Sequence, residues 1–429
     1  MRTTALRIYG KNDLRLETFE LPRIRNDEVL VKLVTDSLCM SSYKAAIRGS
    51  DHKRIPDDVS ESPTVLGHEF CGEIIEVGEL QKDRFKQGQR FVVQTGMKET
   101  YDAIGYSFHY MGGDMTYGII PGFILDKGYV LPYEGDAFFY GSLAEPLSCV
   151  IGAAHANYHT IHGEYEHIME IVRGGNTAAL AALGPMGLAL LDYLIHREHR
   201  PAVLVATDID EYRIERAKRI LAPEDAAANG VKLVYLNTGK FENPVAELKK
   251  LTDGAGFDDV FVFAPVSQVV EQGDAVLGYD GCLNFFAGPS DETFGATFNF
   301  YNVHYNATHI TGTSGGNTDD MIEALELATL NRTNPAILVT HIGGLDSARD
   351  ATLNLPSIPG GKKVIYNHIT LPLTAIDDFE EKGKDDPLFA ELARICAKTG
   401  GLWSAEAERY LLSHATPLDA DKYVPEGVK

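Results

Sequence analysis

Short apolar segments separated by turn-forming residues dominate the first 150 residues of the chain. Strands are predicted at residues 29–35 (VLVKLVT), 70–78 (FCGEIIEVG) and 89–95 (QRFVVQT), and Gly78 and Gly88 punctuate them. Short strands at this spacing are typical of a compact β-rich domain.

Near residue 175 the pattern changes to continuous apolar strands that alternate with helices. A strand in NTAALAALG is followed by a helix in MGLALLDYLIHRE, a strand in AVLVATD and a helix in DEYRIERAKRIL. The alternation continues through residues 258–265 (DDVFVFAP) and 281–288 (GCLNFFAG). Such uniformly apolar strands indicate a parallel sheet that helices cover on both faces.

After about residue 335 the pattern becomes mixed again, and it ends in a charged helical segment from about 387 to 413. The predicted organisation is a β-rich domain of residues 1–155 and 336–429, interrupted by an α/β domain of residues 156–335. The length of 429 residues agrees with two or three domains.

One segment imitates a membrane span, because residues 174–191 carry no charge over 18 residues. Gly184 and Pro185 interrupt it midway, and turn formers there divide it into a buried strand and a following helix. The N-terminal segment has no apolar core of signal-peptide length. We therefore expect no membrane association and a cytoplasmic protein.

Charge and cysteine usage narrow the function further. The chain has 39 basic and 61 acidic residues, so its overall field repels nucleic acids and anionic membranes. An anionic ligand therefore needs a local basic pocket. The five cysteines form no CxxC pair, which favours a reducing compartment over a disulfide framework.

The motif ALGPMG, residues 182–187, lies between a predicted strand and a predicted helix, where a phosphate-binding turn belongs. Gly184 and Gly187 occupy the second and third glycine positions of the G-x-G-x-x-G pattern, with Pro185 and Met186 between them. Ala182 replaces the first glycine, so the tight turn must accommodate a methyl group. Alone, the motif is also compatible with an ordinary strand-to-helix turn.

Asp208 at the end of the next strand strengthens the prediction of a dinucleotide site. A carboxylate there can accept hydrogen bonds from an adenosine ribose. It also repels a 2′-phosphate, so NAD(H) is favoured over NADP(H). Arg213 could pack against adenine, accept a 2′-phosphate or simply be a solvated helix residue.

Cys39, the GHE of residues 67–69 and the AEP of residues 144–146 form a candidate metal constellation. A thiolate, an imidazole and a carboxylate suit an open zinc site. The alternatives are a buried structural thiol at Cys39 and a plain polar strand in TVLGHEF, residues 64–70. In an extended strand, His68 and Glu69 would point to opposite faces, so both could reach one ion only through a local distortion.

Together these features resemble the medium-chain, zinc-dependent alcohol and polyol dehydrogenases over nearly the whole chain. The matching motifs are Cys39 with Ser41, GHEFCGEIIEVG, KQGQRFVV, AEPLSC, LGPMG and Asp208. A closer similarity to the subgroup of L-sorbose-1-phosphate reductases lies in HKRIPDD, GCLNFFAGP, FNFYNVHYN, GTSGG, VTHIGGLD and LNLPSIPGGKK. The resemblance implies a GroES-like β-rich catalytic domain with a C-terminal helical extension, and a Rossmann-type parallel α/β coenzyme domain.

The resemblance also implies a ligand set for one catalytic zinc ion per chain. Cys39 and His68 match the family's ligands, and either Glu69 or Glu145 supplies the carboxylate. The lobe that holds a second, structural zinc in many relatives corresponds to residues 94–118, which contain no cysteine. We therefore expect no structural zinc.

The proton relay departs from the family pattern. Ser41 stands where the family places its relay hydroxyl, but Ser42 replaces a common aspartate and Lys44 replaces a frequent histidine. Ser41 would pass a proton from a ribose hydroxyl, Lys44 or bulk water.

The subgroup implies reduction of L-sorbose 1-phosphate to D-glucitol 6-phosphate. Lys53 and Arg54 in DHKRIP are the candidates for the phosphate contact, and His52 is a weaker one. Two open alternatives are a polyol or alcohol dehydrogenase with an unphosphorylated substrate and a non-catalytic nucleotide-binding protein. The histidine-rich stretch 155–167 is interpreted as an exposed helix at a surface or interface, and a homo-oligomer, dimer or tetramer, is expected.

Overall fold

A computed structural model describes residues 1–97, 100 and 102–425 of the chain. They form two compact units, which we name the catalytic unit (Met1–Glu145 and the described residues from Val339 onward) and the coenzyme unit (Pro146–Leu338). The predicted boundary after residue 155 falls within a helix, because a continuous helix carries the chain out of the catalytic unit. The predicted boundary after residue 335 falls at the start of a short 3-10 turn.

The strands, in chain order, are β1 (Arg2–Gly10), β2 (Asp13–Glu20), β3 (Val29–Ser37), β4 (Thr64–Val65), β5 (Phe70–Val77), β6 (Arg90–Val93), β7 (Tyr117–Ile120), β8 (Val130–Pro132), β9 (Tyr158–Thr160), β10 (His167–Met169), β11 (Asn176–Leu180), β12 (Val203–Asp208), β13 (Lys232–Asn237), β14 (Phe257–Val262), β15 (Leu277–Phe285), β16 (His309–Thr311), β17 (Val339–Gly344), β18 (Lys362–Tyr366) and β19 (Thr374–Ala375).

The α-helices are α1 (Met40–Arg48), α2 (Gly122–Asp126), α3 (Phe138–Ser142), α4 (Ala144–Ala156), α5 (Pro185–His196), α6 (Glu211–Ile220), α7 (Pro223–Ala228), α8 (Pro244–Lys250), α9 (Ser267–Val276), α10 (Phe300–Tyr305), α11 (Thr318–Thr329), α12 (Leu345–Leu353), α13 (Phe379–Lys382), α14 (Pro387–Ala397) and α15 (Ala405–His414).

The catalytic unit is built on an eight-stranded sheet in the order β19-β17-β18-β3-β5-β6-β8, with β7 also paired to β3. A second sheet has the order β2-β1-β4. Apolar residues of β3, β5 and β6 fill the core between them, among them Val31, Ile74 and Phe91. Strand β18 comes from the last quarter of the chain and pairs antiparallel with β3, so both parts of the unit share one sheet.

The coenzyme unit contains a six-stranded sheet in the order β13-β12-β11-β14-β15-β16, and every pairing is parallel. This is the 3-2-1-4-5-6 order of a doubly wound dinucleotide-binding fold. The predicted parallel α/β architecture is therefore confirmed. The uncharged segment 174–191 divides into β11 and α5, as the glycine and proline at its centre predict.

The alternative of a plain strand through TVLGHEF is excluded, because β4 stops at Val65 and β5 begins at Phe70. One local prediction is wrong. The histidine-rich stretch is no exposed helix: it leaves α4 and forms the β9–β10 hairpin, where His159 is buried against Asp259. Within the described residues, no helix is both long enough and apolar enough to cross a lipid bilayer.

Candidate metal and dinucleotide sites

A glycine turn interrupts the β4–β5 stretch at the metal site. Gly67 has φ +92°, and a Cβ atom there would lie 2.4 Å from the backbone nitrogen of Asp114. Only glycine combines this left-handed backbone with so close an approach. This is the distortion that adjacent ligands require, and it leaves His68 and Glu69 both buried beside Cys39.

The structure brings three predicted ligands together. One donor atom each from Cys39, His68 and Glu69 lies within 4.8 Å of the other two. Cys39 is held between the end of β3 and the first turn of α1, for which it is the N-cap residue. This cluster, hereafter the metal cluster, makes a plain polar strand an inadequate description of residues 64–70.

Lys362, the first residue of β18, completes the cluster and was not predicted. Its Nζ lies 2.5 Å and 2.6 Å from the two carboxylate oxygens of Glu69, and both side chains are buried. Burial alone would lower the pKa of Lys362, but Glu69 and Cys39 more than compensate and raise it. The available signal was a lysine pair opening the apolar strand KKVIY, because a fully buried lysine needs a charged partner.

The thiol of Cys39 is in an environment that resists its ionisation. Burial raises its pKa to about 12, with Glu69 adding to the effect and Lys362 opposing it. A bound cation reverses this, since metal ligation deprotonates a thiol outright. Sulfur, imidazole nitrogen and carboxylate oxygen together suit zinc, so the residues present fit that ion.

Glu145 lies in the first turn of α4, outside the compact set of three donors. Its charge nevertheless acts on the metal cluster, where it raises the pKa of Cys39 and opposes the burial that lowers the pKa of His68. Both carboxylates proposed as the third ligand are thus near the site, and Glu69 is the one already bound to a lysine.

The ring of His68 is oriented by two hydroxyl groups. Ser42 Oγ lies 3.2 Å from Nδ1, and the Tyr106 hydroxyl lies 3.1 Å from the same nitrogen. The exposed Ser41 side chain in turn hydrogen-bonds the Tyr106 phenol, whose pKa burial raises. Tyr106 was not predicted, and its spacing from the motifs gives no signal for it.

Lys44 is placed on α1, near enough to Cys39 for the two groups to interact electrostatically. Burial lowers the pKa of Lys44, and the thiol opposes that shift. A partly buried amine with a lowered pKa can exchange protons more readily than a solvated one.

The three phosphate candidates occupy different environments. The Arg54 guanidinium lies 5.3 Å from the Tyr106 ring centroid, and the His52 ring stacks on the same tyrosine at 5.6 Å. Burial, with Arg54 adding to it, lowers the pKa of His52 to about 4, so this imidazole is neutral. Lys53 is exposed. Of these three candidates, Arg54 is therefore the cation that the fold holds near the metal cluster.

Two more carboxyls that were not predicted lie behind the metal cluster. Asp36 Oδ1 accepts a hydrogen bond from the backbone N–H of Glu69 at 3.1 Å, and Asp114 lies beside Asp36. Burial and mutual repulsion raise the pKa of Asp36 well above its usual range, and burial raises that of Asp114 to about 7. The Asp36 carboxyl thereby fixes the peptide that joins the two neighbouring ligands.

The dinucleotide turn occupies residues 181–187. Ala182 adopts the first glycine position, and the left-handed residue is its neighbour Ala181, with φ +52°. A Cβ atom at Gly187 would lie 1.9 Å from the Ala182 carbonyl oxygen, whereas one at Gly184 would meet no protein atom within 4 Å. Gly187 thus allows the helix to pack on the strand, and Gly184 leaves an open approach to the start of α5.

Pro185 and Met186 form the first turn of α5 and are half-buried. The N–H groups of a first helical turn have no partner within the helix and suit an anion such as a pyrophosphate. The turn therefore has the geometry that a pyrophosphate contact needs, and the contact itself stays a prediction.

Asp208 ends β12 and is almost fully buried. Its carboxylate accepts backbone hydrogen bonds from Leu183 at 3.3 Å, Ile209 at 2.8 Å and Asp210 at 3.1 Å. It thereby joins the dinucleotide turn to the next strand. Arg213 is half-exposed on α6. Its guanidinium nitrogens lie 3.8 Å from a carboxylate oxygen of Asp208 and 3.8 Å from one of Asp210.

A cleft of about 400 Å³ adjoins Asp208 in the coenzyme unit, lined in part by Ile209, Thr238, Gly239 and Val269. Ile209 is 75% exposed there. Sites for planar ligands are mostly apolar with a few polar groups at the edge. The cleft has that character.

Comparison with known proteins gives the class. The chain matches the family models described as alcohol dehydrogenase GroES-like domain over residues 25–132 and zinc-binding dehydrogenase over residues 185–329. It is 52% identical over 413 residues to mannitol-1-phosphate 5-dehydrogenase of Aliivibrio fischeri, covering 96% of this chain and 97% of that protein. It is 47% identical over 421 residues to L-sorbose 1-phosphate reductase of Klebsiella pneumoniae, covering 98% and 99%.

The fold is likewise that of solved dehydrogenases. The crystal structure of 2R,3R-butanediol dehydrogenase from Bacillus subtilis superposes with a TM-score of 0.67 at 21% identity, covering 85% of this chain and 99% of that one. The chain belongs to the medium-chain, zinc-dependent polyol dehydrogenase family and is an oxidoreductase that acts on CH–OH groups. The predicted family, fold class and enzyme class are confirmed.

Proposed function

We propose that the chain transfers a hydride from NADH to the carbonyl carbon of a ketose phosphate, with L-sorbose 1-phosphate as substrate and D-glucitol 6-phosphate as product. The observation that carries this proposal is the series Arg54, Tyr106, His68, in which one aromatic ring separates a cation from the metal cluster. In an acidic protein, a phosphorylated sugar needs such a local cation near the reacting centre. Two relatives that are about 50% identical to this chain are also named after sugar-phosphate substrates.

Cys39, His68 and one of Glu69 and Glu145 would hold the zinc ion. Zinc at this position supplies a Lewis acid that polarises the substrate carbonyl and stabilises developing negative charge by several kcal/mol. Ser42 and Tyr106 orient the imidazole, as the outer partners of a metal-binding histidine usually do. Lys362 neutralises Glu69 through contacts to both carboxylate oxygens, and Glu145 lies in the first turn of α4.

Reduction ends with delivery of a proton to the substrate oxygen. Ser41, exposed on α1 and hydrogen-bonded to Tyr106, is our candidate for the group that passes it on. Serine alone is too weak an acid to be the source, so Lys44, a ribose hydroxyl or bulk water would resupply the proton.

The coenzyme would bind with its pyrophosphate at the open side of Gly184 and its adenine in the cleft beside Ile209. We propose NAD(H) as the coenzyme, because the Asp208 and Asp210 carboxylates repel a 2′-phosphate. Arg213 pairs with both carboxylates and would lose these contacts to bind NADP(H).

Mannitol 1-phosphate, oxidised rather than produced, is a second candidate substrate that the 52% identical relative favours. The test is NADH oxidation with L-sorbose 1-phosphate, fructose 1-phosphate and free sorbose, beside NADH formation from mannitol 1-phosphate. We expect the fastest turnover with a phosphorylated sugar. Equal rates with free sorbose would favour an unphosphorylated polyol substrate, and failure of every substrate, together with no bound zinc, would favour a non-catalytic nucleotide-binding protein.

Arg54→Ala and Lys53→Ala test the phosphate contact as a matched pair. Loss of a charge-assisted hydrogen bond of about 1.5–3 kcal/mol predicts a KM for the ketose phosphate roughly 10-fold higher or more in Arg54→Ala. The KM for free sorbose should not change, and Lys53→Ala should have the smaller effect because that side chain is exposed. Small and equal effects of both variants would refute the assignment.

We also propose that the chain assembles with copies of itself. Strand β16 is an edge of the parallel sheet, and the side chains around it include exposed Tyr279, Tyr301, Tyr305 and Ile310. An uncovered edge with apolar neighbours favours pairing with a second identical edge. Sedimentation at micromolar concentration should give a dimer or tetramer, and Ile310→Lys should shift it toward monomer.

A further inference from the structure

Glu408, on α15 of the C-terminal extension, is a buried carboxylate that the proposed reaction does not use. It is 2% exposed, and its oxygens accept hydrogen bonds from the backbone N–H groups of Phe138 (2.6 Å) and Phe139 (2.9 Å) and from the Tyr366 hydroxyl (2.9 Å). These three donors are neutral. Burial of a carboxyl is costly even with Arg90 close enough to act on its charge, so packing alone would favour an apolar residue here.

The two backbone contacts place Glu408 at the start of α3. That helix begins at Phe138, and its N-cap residue, Ala137, has no side chain that could accept a hydrogen bond from the first turn. Glu408 supplies the missing acceptor from a distant part of the chain and receives two adjacent N–H groups, one on each oxygen. The carboxylate therefore fixes the position of α3.

Helix α3 leads along the chain to Glu145, whose charge acts on the metal cluster. It packs against β3 and β5, where the Ser142 hydroxyl lies 2.9 Å from that of Thr35 and Gly141 leaves no room for a Cβ atom beside Cys71. Leu143 is the C-cap residue of α3, and Glu145 follows in the first turn of α4. A shift of α3 is thus transmitted to the Glu145 backbone within one helical turn.

The Tyr366 contact forms a second connection. Tyr366 also accepts a hydrogen bond from Trp403 Nε1 at 2.8 Å, so two residues of the extension hold its hydroxyl. It ends β18, the strand that begins with Lys362, and residues four apart in a strand lie on the same face. One end of β18 therefore binds Glu408 and the other binds Glu69.

We propose that Glu408 is a positioning residue for the metal cluster. Through α3 it fixes the position of Glu145, and through β18 it fixes the positions of Lys362 and Glu69. This inference rests on the proposed zinc site. It assigns the C-terminal extension a role in metal affinity, with no contact between Glu408 and the metal or the substrate.

The test is the zinc affinity of Glu408→Gln, measured by competition with a chromogenic chelator, and the visible spectrum of the cobalt-substituted enzyme. Loss of a partner outside the ligand set typically weakens metal binding by about 10–100-fold. We expect at least 10-fold weaker zinc binding and an altered cobalt spectrum, with kcat largely restored by excess zinc. Glu406→Gln, on the same helix but exposed and paired with Lys398, should bind zinc like the wild type.

A folded Glu408→Gln enzyme with wild-type zinc affinity and cobalt spectrum would overturn the proposal. If that variant does not fold, Tyr366→Phe decides, because it keeps the α3 contacts and removes the hydrogen bonds that join β18 to Glu408 and Trp403. We expect a smaller loss of affinity, and an unchanged affinity would overturn the proposal. A wild-type chain that binds no zinc would instead refute the metal site itself.

Discussion

The metal cluster and the dinucleotide turn obtain their chemistry from different parts of the polypeptide. The metal cluster is made of side chains, and the residues that hold it, Lys362 and Tyr106, are distant from its ligands in the sequence. The dinucleotide turn presents backbone N–H groups, and its shape depends on Ala182 and Gly187, five residues apart. A side-chain site can lose its function while the fold survives, whereas a backbone site is part of the fold.

Cys39→Ser should have the largest effect on activity and should confirm that the two sites are separable. Removing a Lewis acid worth several kcal/mol predicts an activity loss of about 10³-fold or more, since each 1.4 kcal/mol is a factor of ten. Zinc content should fall with it, while NADH binding stays unchanged. Cys396→Ser, on α14 outside the cluster, is the control, and an active Cys39→Ser enzyme would refute the zinc mechanism.

Lys362→Met should have the largest effect on stability. It leaves Glu69 buried without its cation, and breaking a buried ion pair costs about 3–5 kcal/mol. Urea unfolding at pH 7 measures this loss. Added zinc should stabilise the variant more than it stabilises the wild type, because the ion replaces the missing charge. Lys363→Met is the matched control, since its ammonium donates hydrogen bonds to the carbonyl oxygens of residues 358, 359 and 361. Equal losses in both variants would contradict this interpretation.

Two glycine substitutions test the backbone site. Gly187→Ala places a methyl group against the Ala182 carbonyl and should lower the free energy of unfolding by about 1–3 kcal/mol. Gly184→Ala meets no protein atom, so stability should change by less than about 0.5 kcal/mol. Its dissociation constant for NADH should nevertheless rise roughly 10-fold, a cost of about 1.4 kcal/mol. Unchanged NADH binding by Gly184→Ala, followed by fluorescence, would place the pyrophosphate elsewhere.

The smallest predicted effect is on the pH dependence of the coenzyme unit. Hydrogen bonds that the His155 imidazolium donates to the carboxylates of Asp320, Glu170 and Glu323 raise its pKa from 6.5 to about 11, and a third of the imidazole is exposed. A raised pKa stabilises the fold fully below pH 6.5, and the contribution disappears as the pH rises through about 11. Solvent screening limits it to the order of 1 kcal/mol.

His155→Ala should therefore be less stable than the wild type at pH 6, and the difference should shrink by pH 10. Urea unfolding followed by circular dichroism measures both. His162→Ala, which removes an exposed imidazole hydrogen-bonded to the Tyr279 hydroxyl, is the control. A difference that grows with pH would reverse the assigned sign.

The local elements around the dinucleotide turn were easier to predict from the sequence than the distant side chains that hold the metal cluster. Strands β3, β5 and β12 and helix α5 lie where the periodicity places them, because burial of one face is a local property of the pattern. The dinucleotide turn was predictable for the same reason. The order of the parallel strands in the sheet was not predictable, because no local motif encodes which strands lie side by side.

The partners of the metal cluster were not predictable in this way. Glu69 and Lys362 are separated by 293 positions, and no periodicity joins them. The β9–β10 hairpin was missed because its tyrosines and glutamates are compatible with an exposed helix. The turn residue Gly163, with φ +85°, favours a hairpin instead. The break at Gly67 was foreseen only as a condition for two adjacent ligands.

The placement of β18 has a consequence for how the protein is made. The strand lies between β17 and β3 in the middle of its sheet, yet it leaves the ribosome after the whole coenzyme unit. Domains fold as they emerge, so the contiguous coenzyme unit can fold during translation while the amino-terminal half of the catalytic unit waits for its central strand. A nascent chain that stops before residue 362 would therefore carry an open sheet edge along residues 35–37 of β3 and a Glu69 carboxylate that still lacks its Lys362 partner.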